Sequence, residues 1–86
     1  MFALLWVEYA MNGLADVYIA ASPEERERIA AGVEAVNARL RTDPSDEGES
    51  REGGGRITFP PLLAVGFHVS EDERVVQVRG VRRYGR

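Results

Sequence analysis

Apolar and polar positions alternate with two different periods along the chain, and the change of period divides it in half. "FALLWVEY", residues 2–9, is apolar and rich in strand formers, and predicts a first β-strand. In "AMNGLADVYIAA", Ala10, Leu14, Val17, Tyr18 and Ala21 recur at spacings of three and four, the signature of an amphipathic helix of about three turns. Gly13 costs that helix about 1 kcal/mol relative to alanine, so it must depend on packing. "SPEE", 22–25, then places a capping serine, a proline at the first helical position and a glutamate where a capping box requires one. A second helix follows from Pro23 to about Arg41, with Ile29, Ala30, Val33, Val36 and Leu40 as its apolar stripe. The two or three residues between the helices suit a tight helical hairpin.

The second half reads as strands. "DPSDEGESREGGG", 43–55, is a polar, glycine-rich loop. "RITF", 56–59, is a short strand stopped by Pro60 and Pro61. "LAVGFHVS", 63–70, alternates cleanly, with Leu63, Val65, Phe67 and Val69 on one face and Ala64, Gly66 and His68 on the other. After the turn "EDER" comes "VVQVRGV", 75–81, its hairpin partner, in which Gly80 marks a bulge. The order β-α-α-β-β-β predicts an α+β fold: an antiparallel-rich sheet packed on one face by a helical hairpin, the other face left open.

Length and composition narrow the class. At 86 residues the chain is expected to form one domain, 1–86, near the lower size limit for a hydrophobic core without staples. The absence of cysteine excludes disulfides, thiolate metal sites and thiol nucleophiles, and one histidine cannot build a zinc site, so no metal or cofactor is expected. Apolar stretches fall well short of the roughly 18 residues of a membrane span, and the start lacks the features of a signal peptide; a cytoplasmic protein is the expectation, with no membrane partner. The net charge of −3 hides an asymmetry: residues 1–50 carry −6 and residues 51–86 carry +3. All 11 basic residues are arginine. Two faces with different partners follow from that separation.

Three stretches together resemble the RelE/ParE superfamily of toxins from type II toxin–antitoxin pairs, also known as plasmid stabilisation proteins. "VEYAMNGLADVYIAA" is similar to the strand-into-helix start of that family. "RIAAGVEAVNARLRTDPSDEGESRE" is similar to its second helix and following loop, and "RITFPPLLAVGFHV" with "VVQVRGVRR" to its last strands. The resemblance implies a cognate antitoxin whose disordered tail wraps the toxin. It leaves two activities open. RelE-like members are ribosome-dependent endoribonucleases that cut mRNA with basic residues and a C-terminal tyrosine or histidine. ParE-like members bind DNA gyrase and lack that set.

Carried onto this chain, the RelE-like reading makes Arg56, Arg83 and Tyr84 the catalytic candidates, and Arg51, Arg56, Arg79, Arg82, Arg83 and Arg86 the nucleic-acid-binding ones. RNA cleavage needs a base for the 2′-hydroxyl, cations at the phosphorane and an acid for the leaving oxygen. The arginines suit the second role and Tyr84 the third, while Glu49 or Glu52 would serve as base if the loop folds over the sheet. The set is incomplete, since "LLAVGF" has no arginine where the family's strand carries one and "VRRYGR" has no histidine beside the tyrosine. The alternative is a binding protein of the same fold, with the arginines as rim contacts for an acidic partner. His68 is read as a surface or packing residue, and Trp6 and Tyr9 as core and core-edge residues.

Overall fold

The structure is a computed structural model and describes residues 1–85. The chain runs β1 (Ala3–Trp6), α1 (Glu8–Ala20), α2 (Pro23–Thr42), β2 (Glu49–Ser50), β3 (Gly55–Thr58), β4 (Leu63–Ser70) and β5 (Val75–Arg83). The five strands form one mixed sheet in the order β1-β5-β4-β3-β2. β1 runs parallel to β5, with Ala3 beside Val75 and Trp6 beside Val78, and the other pairings are antiparallel. The α+β architecture and element order match the sequence expectation. The acidic loop adds one two-residue strand at the sheet edge, β2, too short for any periodicity to announce.

The first strand is shorter than its apolar run. It ends at Trp6, and the helix starts at Glu8, so Tyr9 belongs to α1 and not to β1. Instead of a core-edge position it occupies one that is 78% exposed. Trp6, half-buried against the core, donates its indole N–H to Asn37 Oδ1 of α2 at 2.9 Å, tying the strand to the second helix.

The hairpin corner is fixed from both sides. Ser22 Oγ accepts from the Glu25 amide at 3.2 Å and the Glu25 carboxylate accepts from the Ser22 amide at 3.0 Å, the capping box written in "SPEE". Arg26 reaches back to the end of α1, donating to the carbonyls of Tyr18, which also accepts from the Ala21 amide, and of Ile19. A buried core cluster joins Ile29, Val36 and Leu40 of α2 to Leu63, Val65 and Phe67 of β4 and to Val76, Val78 and Val81 of β5. α1 contributes little to it. Only Ala10 is fully buried on that helix, while Leu14 and Val17 are half-covered.

α1 lies against the second half of β5, beyond the end of β1. Gly13 makes that approach close. A Cβ at Gly13 would sit well inside 3.0 Å of the Val81 carbonyl oxygen, nearer than side chains pack. The glycine that weakens the helix is the residue that lets it touch the strand. No helix among the described residues is long and apolar enough to cross a membrane.

Candidate functional site

Residues paired across antiparallel strands share a face, so the register sorts the side chains. Leu63, Val65, Phe67 and Val69 face the helices together with Arg83, Val81, Val78 and Val76. The open face carries Ala64 opposite Arg82, Gly66 opposite Gly80, His68 opposite Gln77, and Ser70 opposite Val75. Between Val78 and Gly80 the register slips by one residue, leaving Arg79 as the extra, exposed residue of a bulge. β3 adds Ile57 and Gly55 to the open face, and β1 adds Ala3 and Leu5.

This sorting separates the six arginines named from sequence. Arg56 pairs with Phe67 and so lies on the helix side of the sheet, near its edge. Its guanidinium is occupied by the loop: Nε donates to the Glu47 carbonyl at 3.0 Å, one terminal nitrogen to Ser50 Oγ at 2.9 Å and the other to the Gly48 carbonyl at 3.2 Å. Arg83 also faces the helices, and its guanidinium binds the Glu25 carboxylate at 3.0 Å. The Arg83 hydrogen bond and the capping-box amide of Ser22 lower the Glu25 pKa from 4.5 to about 2. Arg51, on the loop, pairs with Glu49 at 3.3 Å. Arg79 and Arg82 are exposed, and neither forms an ion pair with a carboxylate among the described residues. Arg86 lies outside the described residues.

Tyr84 stacks on Phe59 with ring centroids 4.7 Å apart, and the Arg82 guanidinium lies 5.8 Å from the Tyr84 ring centre. The structure therefore brings Arg82 and Tyr84 together and commits Arg56 and Arg83 to contacts with the loop and with α2. Glu52 is exposed on the loop. Glu47 is the carboxylate that matters structurally: it binds Arg39 at 2.7 Å and accepts from the Thr58 hydroxyl at 2.6 Å. The Arg39 bond above all holds its pKa below the usual carboxylate range.

Two polar or apolar hollows mark the open face. At one end His68, Ser70, Glu73, Gln77 and Arg79 surround a hollow in which Arg79 Nε donates to Gln77 Oε1 at 3.0 Å. The triple-glycine segment passes close by, the Gly54 Cβ position lying 3.6 Å from His68 Nε2. At the other end Tyr9, Ile57, Ala64 and Arg82 wall a trench whose floor is the Gly66–Gly80 pair. Sequence reading missed Tyr9 and Phe59, the first because it was assigned to a strand. The two glycines were legible as members of one face once β4 and β5 were paired.

A second exposed surface lies on the helical hairpin. Met11, Leu14, Ala15, Tyr18 and Ile19 of α1 form an apolar stripe, with Met11 51% and Ile19 71% exposed. It continues into a groove between the helices lined by Ala30, Val33 and Asn37, with Glu34 at its side.

No protein-family model matches the sequence, and no curated protein matches it. Solved structures do. The chain is similar to the chromosomal ParDE toxin–antitoxin system of P. aeruginosa, with a TM-score of 0.75 at 18% identity over 99% of this chain and 98% of that one. It is similar to the RelBE2 toxin–antitoxin complex of Mycobacterium tuberculosis, with a TM-score of 0.72 at 16% identity over 96% and 98% of the two chains. The intact E. coli RelBE complex gives 0.67 at 16% identity over the whole of both chains. At these identities the likeness establishes the fold alone, one shared with these toxin–antitoxin structures.

Proposed function

We propose that this chain is the toxin of a type II toxin–antitoxin pair and that it acts by holding a protein target, in the manner of gyrase-directed ParE-like toxins, rather than by cutting RNA. The toxin role is supported by the fold, which covers nearly all of the chain and of its structural relatives. The mode of action is supported by one observation above the rest. Arg56 and Arg83, two of the three residues a RelE-like mechanism would take from this sequence, spend their guanidiniums on the loop and on Glu25, on the helix side of the sheet. Tyr84 lies just beyond the end of β5, its ring 5.8 Å from the guanidinium of Arg82, which pairs with Ala64 on the other face.

The cognate antitoxin, in this reading, covers the apolar stripe of the hairpin with an amphipathic segment. Exposed Glu34 flanks that surface, so the segment carries a basic residue beside its apolar face. The pair works in the cytoplasm.

A second reading keeps the ribonuclease. Arg79, Arg82 and His68 share the open face with Tyr84 beside Arg82, and an mRNA in the ribosome would meet them there, with Arg51 and Arg86 as further phosphate contacts. Inducible expression, with and without the neighbouring reading frame, followed by mapping of mRNA ends, separates the two. The expected result is growth arrest without new mRNA ends, relieved by the partner and retained in Tyr84→Phe. Codon-periodic new ends that disappear in Tyr84→Phe would overturn the binding reading.

A further inference from the structure

The open face contains two glycines that the fold does not require. Gly66 and Gly80 face each other across β4 and β5, and neither has a positive φ. A Cβ at Gly80 would meet nothing within 4 Å, and one at Gly66 would meet only the carbonyl oxygens of Gly80 and Arg56, at 3.9 and 4.0 Å. Glycine in a strand interior weakens it, because it loses more freedom on folding and offers no side chain to pack. Backbone geometry and packing both leave room for a Cβ at these positions. What the pair does provide is the floor of a trench of about 220 Å³, walled by Ile57 and Ala64 and overhung by the exposed ring of Tyr9.

The surroundings define the occupant. The trench is smaller than the roughly 300–1,000 Å³ of a small-molecule pocket, a size suited to one side chain. Its rim holds Arg82, and Arg79 occupies the neighbouring bulge, both without carboxylate partners among the described residues. Phe59 and Tyr84 extend the aromatic surface beyond Arg82. Exposed aromatic rings and arginines around an apolar hollow are the composition of a protein-interface hot spot. A nucleic acid, which needs a run of free cations along its backbone, is disfavoured by the commitment of Arg56 and Arg83 to the loop and to Glu25.

We propose that the Gly66–Gly80 trench is a docking pocket for one aromatic anchor of an acidic protein segment, whose carboxylates meet Arg82 and Arg79. It rests on the binding-toxin reading for its biological role, since it is the surface by which the target is held; the physical binding site stands or falls separately.

The test is a titration of the ¹⁵N-labelled full chain with a blocked Asp-Glu-Trp-Asp-Glu peptide, its tryptophan-to-alanine counterpart, and a single-stranded RNA hexamer. The tryptophan peptide is expected to shift the amides of Gly66, Gly80 and Arg82 and to weaken with salt. The alanine peptide should bind at least tenfold more weakly, and the RNA should leave those amides unmoved. Gly80→Val is expected to melt at or above the wild type and to lose at least tenfold in peptide affinity. Shifts with RNA and none with peptide, shifts with neither, or a folded Gly80→Val that binds as the wild type does would each overturn the proposal. If Gly80→Val does not fold, Gly80→Ala combined with Tyr9→Ala serves in its place, and unchanged affinity refutes the pocket. In cells, Gly80→Val should lose growth arrest while still being bound by the neighbouring frame's product. A wild-type chain that never arrests growth would sink the toxin reading and leave the titration to decide the trench.

Discussion

Replacing Gly13 with alanine sets two well-known effects against each other. On helix propensity alone the substitution stabilises, by about 1 kcal/mol for an interior helical position. The fold points the other way, because the new methyl would press into the Val81 carbonyl oxygen well inside 3.0 Å. Both groups in that contact are fixed to backbone, so no rotamer change relieves it. α1 must move from β5 by roughly half an ångström or more, at an overpacking cost of about 1–3 kcal/mol, nearer the upper end because the neighbour is main chain. The net expectation is a loss of about 1–2 kcal/mol. For a chain of this size that corresponds to a fall in melting temperature of about 5–15 °C. Thermal and urea denaturation followed by circular dichroism measure it directly. A Gly13→Ala protein as stable as the wild type, or more so, would refute the close packing of α1 on β5.

Three further outcomes are expected. Because Glu25 has its pKa depressed to about 2 in the fold, its contribution is complete above 4.5 and is lost as the pH falls from there toward 2. The stability difference between wild type and Glu25→Gln should shrink over that window, and a difference that stays constant would contradict the Arg83 pairing. Asn37→Ala leaves the indole N–H of the chain's one tryptophan without its acceptor, at a cost of about 1 kcal/mol and with an altered Trp6 emission spectrum; an unchanged spectrum would argue against the 2.9 Å bond. Arg56→Ala releases the loop, costing about 1–2 kcal/mol and speeding limited proteolysis within 47–55, while growth arrest persists. Loss of arrest in a folded Arg56→Ala protein would favour the ribonuclease reading.

The parts of the fold that were legible in the sequence are those written locally. The capping box at Ser22 and Glu25, the stripe of Ile29, Val36 and Leu40, and the alternation of Leu63 to Val69 each depend on a few consecutive residues, and each occurs as expected. Tyr9 was misplaced because an apolar run does not say where a strand gives way to a helix. Val7 caps α1 without any side-chain hydrogen bond, so the sequence carries no start signal there. The arginines were harder still. Which face Arg56 and Arg83 occupy is decided by register, and a shift of one residue reverses the answer. Nothing in "GGRITF" or "RGVRRY" states that register; it is set by Phe67 and Leu63 on the neighbouring strand.

β5 joins the two ends of the polypeptide, holding β1 on one side and β4 on the other. Ala3 and Val75 are separated by roughly 70 residues, a long loop to close before any reward arrives, which slows assembly. During translation the opening strand therefore waits, partnerless, until residues 75–78 have been made. A chain cut short before Val75 would leave β1 unpaired and the core without Val76, Val78 and Val81.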